Sequence, residues 1–342
     1  PMIQISGSSV REPIDLEQGT YEGLDQLNIA KPLVKAAYRV NRAEDIPTGV
    51  VRAYRAAVSG RPGGVYLDIT TPALGQVMDH AAAEALLQQP VDLQPSMVPA
   101  AEAVERAAAL LASAKKPAIL IGKGAAQAHV EDLVKKLVET TGVPFYPMSM
   151  AKGMLPDKHP LSALSVRSTI MEEADVVMLV GARLNWLLSR GHGKWNQQGQ
   201  FIQLDIDPVE IDSNRHIAAP VIGDLRSSLE ALLTALEGKK MAMDAGWVPS
   251  LQAQSRVKNA KFAQRLADAV TASPMNHWSA LSAAKKVMEA NPDVILVNEG
   301  ANTLDDTRDT IDMAMPRHRI DCATCAIIGM GMGSLISATV TT

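Results

Sequence analysis

The stretch KPAILIGKGAAQAHVEDLVKKLVE, residues 116–139, decides the fold of this chain. Its first apolar run, residues 118–122, is short and continuous, which is typical of a strand covered on both faces by helices. The apolar residues of the stretch 130–140 recur at helical spacing. A turn with two glycines, Gly122-Lys123-Gly124, joins the two elements. The stretch therefore predicts a strand–turn–helix unit of an α/β domain.

Apolar runs of strand length recur along the chain between helical patterns. We predict strands at residues 2–6, 64–69, 118–122, 145–148, 176–181, 201–205 and 294–298. Helical patterns alternate with the central strands and cover residues 101–115, 130–140 and 224–237. This alternation predicts an α/β fold built around a doubly wound parallel sheet.

Two stretches are predicted to be linkers. Residues 88–99 contain three prolines, and residues 238–274 are polar and largely helical in pattern. They divide the chain into three pieces, residues 1–95, 96–272 and 273–342. The first predicted strand begins at residue 2 and the last helix has hardly begun at residue 342, so we expect the outer pieces to be incomplete.

Composition and charge exclude several classes of protein. The 33 Lys and Arg against 37 Asp and Glu give a net charge of −4, which argues against a nucleic-acid or membrane-surface partner. No apolar run approaches the roughly 18 residues of a membrane span. Two cysteines exclude a disulfide scaffold, so we expect a soluble, cytoplasmic protein.

Charged side chains stand at the ends of three predicted strands and of a further apolar run, PVIG. Lys123 and Arg183 follow their strands, Asp205 ends its strand, and Asp224 follows PVIG. Ligands of open parallel sheets bind outside the carboxyl ends of strands, where cations suit phosphates and acids suit ribose hydroxyls. Taken alone, the Gly-x-Gly turn is better explained as a tight turn, because Gln127 replaces the third glycine of a dinucleotide-binding motif. The four strand ends together favour a nucleotide site.

Other motifs leave their alternatives open. Cys322 and Cys325 have C-x-x-C spacing, but no second pair exists, so we interpret them as buried thiols. The glycines of residues 329–333 suit either a diphosphate or tight packing. By themselves, Tyr21 and Glu22 indicate only an exposed loop.

Eight strings, read in order, carry a resemblance that covers nearly the whole chain. They are ISGSS, SGRPGGVYLDI, GKGAA, PMSMAKG, GARLNWLLS, LDIDPVEIDSN, APVIGD and NEGANTLD. The chain resembles the oxalyl-CoA decarboxylase family of thiamine-diphosphate-dependent enzymes, which have pyrimidine, middle and diphosphate domains. The 2-hydroxyacyl-CoA lyase family shares this architecture and matches the strings less well.

The resemblance implies a lyase that decarboxylates oxalyl-CoA to formyl-CoA and carbon dioxide in oxalate catabolism. It implies thiamine diphosphate and Mg²⁺ as cofactors, ADP as an activator, and a cytoplasmic homo-oligomer, a dimer of dimers. Residues 1–95 resemble the end of the pyrimidine domain, 96–272 the middle domain and 273–342 the start of the diphosphate domain. The activating glutamate and the Mg²⁺ ligands would lie outside the chain, so we expect the isolated chain to be inactive. The alternatives are a 2-hydroxyacyl-CoA lyase and a non-catalytic ADP-binding module.

Site residues carry over only where this sequence matches the family. The resemblance places Tyr21 and Glu22 beside the reacting carbon. Its ADP contacts are Arg61, Lys123, Arg183, Asp205 and Asp224. Its coenzyme A contacts are Leu164, Arg167, Asn259, Arg308 and Asp309. Its thiamine diphosphate contacts are His277, Ala301, Asn302, Ala326, Ile327 and Ile328. The sequence departs from the family pattern at residues 323–328, which read ATCAII where Gly-Thr-Trp-Gly-Val-Met is usual, so that Ile328 stands in place of a methionine. It also departs at His277, where a tyrosine is usual.

Overall fold

The computed structural model describes residues 1–88, 94–322 and 328–341. The chain forms two compact units, Pro1–Ser96 and Met97–Thr342. The predicted boundary at residue 95 lies beside their junction, whereas the predicted boundary at residue 272 lies inside the second unit. The division into three domains stays a prediction.

The first unit contains a three-stranded parallel sheet in the order β1-β3-β2. Its strands are β1 (Met2–Ser8), β2 (Ala36–Val40) and β3 (Gly64–Thr70). Its helices are α1 (Arg11–Asp15), α2 (Gln26–Ala30), α3 (Ile46–Val58), α4 (Thr71–Gly75) and α5 (His80–Gln88). Helix α3 is amphipathic, and its buried Ala53 and Ala57 share a core with Val65 and Leu67 of β3.

The second unit is built on a five-stranded parallel sheet in the order β5-β4-β6-β7-β8. Its strands are β4 (Pro117–Ile121), β5 (Phe145–Pro147), β6 (Val176–Val180), β7 (Gln200–Asp205) and β8 (Ala219–Ile222). Its helices are α6 (Ala101–Ser113), α7 (Lys123–Gln127), α8 (Glu131–Thr141), α9 (Arg167–Glu173), α10 (Leu225–Leu236) and α11 (Trp247–Val270).

Strand β4 shows why the central strands are continuous apolar runs. Ile119 and Ile121 lie in a core with residues of α6, α8 and α10, whereas Ala118 and Leu120 lie in a second core with residues of α9 and α11. Successive side chains of a strand point to opposite faces, so both faces of this strand must be apolar. The predicted doubly wound α/β fold is confirmed.

The rest of the second unit contains a small two-stranded parallel sheet and three helices. Its elements are α12 (His277–Ala290), β9 (Leu296–Asn298), α13 (Ala301–Thr310), β10 (Arg319–Asp321) and α14 (Met330–Thr341). The predicted strands lack β2, β8 and β10. β8 was expected only as the apolar run before Asp224, and β2 and β10 are short and carry charged residues. Among the described residues, no helix is both long and apolar enough to span a membrane.

Candidate functional site

The strand ends of the central sheet lie at one edge. Ile121, Val180, Leu204 and Val221 are paired in one row across β4, β6, β7 and β8. Ile121 and Val180 are the last residues of their strands, and Leu204 and Val221 are the last but one. The charged residues at these strand ends therefore lie along the same carboxyl edge. These residues are Lys123, Arg183, Asp205 and Asp224. Arg61 lies in the first unit, on the loop after α3.

The turn after β4 packs directly against the turn after β6. The amide of Gly122 donates to the Val180 carbonyl at 2.9 Å, and that of Gly124 donates to the Gly181 carbonyl at 3.1 Å. A Cβ atom on Gly122 would lie 2.1 Å from the Gly181 oxygen. The glycines are thus needed for close packing, and the exposed Lys123 between them is the side chain that can reach a ligand.

The other charged groups of this edge have protein partners. Arg183 Nη1 lies 2.8 Å from Glu210 Oε1. The buried Asp205 accepts a hydrogen bond from the Asp207 amide at 3.0 Å. The carboxylate of Asp224 accepts from the backbone amide of Met97. A nucleotide at this edge would therefore compete with Glu210 for Arg183, while Asp224 also anchors the segment that leads into α6.

One of the predicted coenzyme A contacts, Arg167, lies over the ring of Tyr146 of β5. The guanidinium carbon of Arg167 lies 5.7 Å from the centre of the Tyr146 ring, and Arg167 also donates to the Leu187 carbonyl. Burial raises the pKa of the Tyr146 hydroxyl, and the charges of Arg308 and Arg167 oppose that rise. Arginine side chains such as that of Arg167 are well suited to bind phosphate groups.

The remaining coenzyme A candidates lie on neighbouring elements. Leu164 is half-buried against the core beneath α9 and α11, and Asp309 Oδ1 accepts from Arg308 Nε at 3.0 Å. Asn259 is exposed on α11. The residue before it, Lys258, has its Nζ 3.3 Å from Ser168 Oγ of α9.

The predicted catalytic pair lies on an exposed loop of the first unit. The Tyr21 side chain is 83% exposed, while its carbonyl accepts from Ser9 Oγ at 2.6 Å. Glu22 has a φ of 52°, a left-handed conformation that is unfavourable for a residue with a side chain. The Leu24 amide donates to the Glu22 carbonyl at 2.8 Å and closes the turn.

The predicted thiamine diphosphate contacts lie on α12, α13 and the segment before α14. His277 Nε2 is 2.7 Å from Asp306 Oδ2, Ile328 is 86% exposed, and Ala301 and Asn302 begin α13. Ala326 and Ile327 lie outside the described residues.

The chemistry at the start of α14 suits an anion. The backbone amides of Gly329 and Gly331 both donate to the carboxylate of Glu299. These hydrogen bonds lower the pKa of Glu299. Helix N-termini and consecutive backbone amides are the usual protein environment for phosphates. These backbone amides therefore fit the diphosphate group, although in this structure they donate to the Glu299 carboxylate.

Within the described parts of the chain, no group of three or more His, Cys, Asp or Glu side chains is arranged to hold a metal ion.

A buried cluster of charges was missed by the sequence analysis. Lys152 and Asp157 follow β5, Arg319 and Asp321 belong to β10, and all four side chains are fully buried. Lys152 Nζ lies 3.2 Å from Asp157 Oδ2, and Arg319 Nε lies 3.6 Å from Asp321 Oδ2. The available signal was Lys152 inside the largely apolar stretch MSMAKGML, since a buried charge requires a partner. Arg319 lies in the charged stretch PRHRID and gave no such signal.

Comparison with known proteins supports the resemblance stated from the sequence. Residues 104–232 match the family model described as thiamine pyrophosphate enzyme, central domain. The chain is 48% identical, over 100% of its own length and 60% of the relative's, to oxalyl-CoA decarboxylase of Escherichia coli (strain K12). It is 36% identical to 2-hydroxyacyl-CoA lyase of Oryza sativa subsp. japonica, over 99% of this chain and 60% of that protein. For 2-hydroxyacyl-CoA lyase 1 of Homo sapiens the identity is 33%, over 99% of this chain and 58% of that protein.

The similarity to oxalyl-CoA decarboxylase is therefore confirmed over the whole chain. The chain spans about 60% of the length of the curated relatives that it matches.

Proposed function

We propose, from the thiamine pyrophosphate enzyme central domain that this chain contains, that it acts in a lyase converting oxalyl-CoA to formyl-CoA and carbon dioxide. The observation that carries the proposal is the 48% identity to an oxalyl-CoA decarboxylase across the whole chain. The identities to 2-hydroxyacyl-CoA lyases are lower, at 36% and 33% over nearly the same residues. The alternative functions, 2-hydroxyacyl-CoA lyase and non-catalytic ADP binding, are decided by the experiments below.

Thiamine diphosphate, when bound, supplies the electron sink for the loss of carbon dioxide. The N-terminal turn of α13, with Ala301 and Asn302, and the amides of Gly329 and Gly331 would hold its diphosphate group. Binding there requires Glu299 to release those amides. Mg²⁺ would accompany the diphosphate.

Different residues would bind the two ends of the substrate, the oxalyl group and coenzyme A. Tyr21 and Glu22 would face the oxalyl group, where Glu22 orders a water or moves a proton. Arg167 and Arg308, whose charges both oppose the rise in the pKa of Tyr146, would bind phosphate groups of coenzyme A. Asp309, Leu164 and Asn259 would contact other parts of coenzyme A. ADP would bind as an activator at the carboxyl edge of the central sheet. The enzyme would be a cytoplasmic homo-oligomer.

The activity is tested with the whole gene product that carries this chain. Purified protein with thiamine diphosphate and Mg²⁺ is offered oxalyl-CoA or a 2-hydroxyacyl-CoA, and formyl-CoA release is followed by chromatography. Faster turnover of the 2-hydroxyacyl-CoA than of oxalyl-CoA would overturn the proposal in favour of a 2-hydroxyacyl-CoA lyase. Glu22→Gln should lower kcat about 100-fold, as expected for a positioned proton-transfer group, and leave coenzyme A affinity unchanged.

ADP binding is tested on the chain itself by calorimetry. A ligand specific for the folded state stabilises it by about 2.7 kcal/mol at a hundredfold excess over Kd, so ADP should raise Tm by several degrees. Lys123→Ala should remove much of that shift, whereas Lys136→Ala, an exposed lysine on α8, should not. Asp205→Asn retains an acceptor for the Asp207 amide and should still weaken ADP binding. Equal ADP shifts in all four proteins would exclude a nucleotide site at this edge.

A further inference from the structure

Lys152 is a buried cation whose three donors are all used. Its Nζ lies 3.2 Å from Asp157 Oδ2 and donates to the carbonyl of Ile311 at 2.9 Å and to that of Arg308. A lysine ammonium has three N–H donors and no acceptor. Burial lowers the pKa of Lys152, and the charge of Asp157 opposes the change.

The two carbonyls belong to the C-terminal end of α13, whose last helical residue is Thr310. The last four carbonyls of a helix lack partners within the helix, and the negative end of the helix dipole favours a cation. Lys152 therefore caps α13 from outside, although it lies more than 150 residues earlier in the chain.

Asp157 fixes the segment that follows the helix. Its Oδ2 accepts from the Met313 amide at 2.7 Å, and its own amide donates to the Met313 carbonyl at 3.0 Å. A Cβ atom on Gly153 would lie 2.0 Å from the Met315 oxygen, so the two segments run in contact. The lysine holds the helix end and the aspartate holds the chain beyond it.

We propose that Lys152 is a positioning residue for the coenzyme A site, because it binds the carbonyls of Arg308 and Ile311 and so holds the end of α13 that carries the predicted contacts Arg308 and Asp309. The proposal rests on the coenzyme A role given to Arg308 under the proposed function. Helix α13 begins with the predicted diphosphate contacts Ala301 and Asn302 and ends with Arg308 and Asp309. Lys152 thus fixes the end of the element that reaches both ligands.

A comparison of two variants separates positioning from stability. In the double variant Lys152→Met with Asp157→Asn, the cap of α13 is lost without leaving an unpaired buried charge, and the asparagine oxygen can still accept from the Met313 amide. In Asp157→Asn, the ion pair is lost, but Lys152 still reaches both carbonyls. Calorimetric titration with coenzyme A should show Kd raised about tenfold in the double variant and changed less than twofold in Asp157→Asn, whatever their Tm values. Wild-type affinity in the double variant, or an equal loss in Asp157→Asn, would overturn the proposal.

A second readout keeps the two proposals separate. Amide hydrogen exchange over residues 301–312 should be at least about tenfold faster in the double variant than in Asp157→Asn. If the wild-type chain binds no coenzyme A, the coenzyme A role of Arg308 is wrong, and exchange still decides whether Lys152 holds α13. Equal exchange in both variants would refute the capping role.

Discussion

Replacing Gly122 by alanine tests whether the turn after β4 is a packing device. The added Cβ would lie 2.1 Å from the Gly181 oxygen and 2.6 Å from Ala182 Cα, whereas ordinary contact begins near 3.4 Å. Both obstacles are backbone atoms, so rotating a side chain cannot relieve the clash. The turns after β4 and β6 must therefore move apart by about 1 Å.

The expected loss follows from the contacts that join these turns. Overpacking a close contact costs typically 1–3 kcal/mol, and weakening one of the hydrogen bonds between the turns adds about 1 kcal/mol. A total of about 3 kcal/mol should lower Tm by about 6–12 °C, since each kcal/mol corresponds to 2–4 °C in a domain of about this size.

Gly246→Ala is the matched control in the same unit. Nothing lies within 4 Å of a Cβ atom at Gly246, and its φ of −82° suits alanine. Its Tm should fall by no more than a few degrees, because it only changes the N-cap of α11. Differential scanning calorimetry without ligand compares the two variants. Equal melting temperatures would show that the turns are free to separate and that the steric reasoning is wrong.

Two further predictions concern ion pairs. Arg317 donates a hydrogen bond of 3.0 Å to each carboxylate oxygen of Glu131, and these bonds lower the pKa of Glu131. The stabilisation that they give the folded state is fully present above the ordinary glutamate pKa of about 4.3. It is lost as the pH falls through the lowered pKa of the folded state. In urea titrations, the wild type should have a larger free energy of unfolding than Glu131→Gln near neutral pH, and this difference should shrink on acidification. A difference in unfolding free energy that does not change with pH would contradict the prediction. Arg39 Nε lies 2.6 Å from Asp68 Oδ2, and the Asp68 side chain is fully buried. Arg39→Met should cost about 3 kcal/mol in urea unfolding because it leaves a buried carboxylate unpaired, and the control Arg52→Met, an exposed arginine on α3, should cost little.

The fold was predictable where local pattern and burial agree. The apolar runs of β4 and β6 are buried on both faces, so the strand prediction needed only hydrophobicity and length. β2 was missed because Arg39 stands inside it, and the partner that makes this residue acceptable, Asp68, lies on the paired strand β3. β10 was missed for the same reason, since two of its three residues are charged.

The candidate site was predictable only as a set of strand ends. Their alignment follows from parallel topology, and Lys123 and Arg183 do lie at one edge of the sheet. The partners of the charged residues were not predictable, because they depend on contacts that are distant in sequence. Asp224 binds the amide of Met97, 127 residues away. A charged residue at a strand end can therefore serve the fold and a ligand together.

The buried Lys152 is a second charged residue whose partners are distant in sequence, and it holds a helix that carries predicted ligand contacts at both ends. Helix α13 has ten residues and is therefore about 15 Å long. Lys152 holds one end of α13, and its carbonyl contacts cost little because the ammonium has no unsatisfied donor. An apolar residue at position 152 would fill the same space but leave those carbonyls unpaired. Retaining a buried lysine here therefore has a specific consequence: the end of α13 that carries the predicted coenzyme A contacts Arg308 and Asp309 keeps its place against the segment after β5.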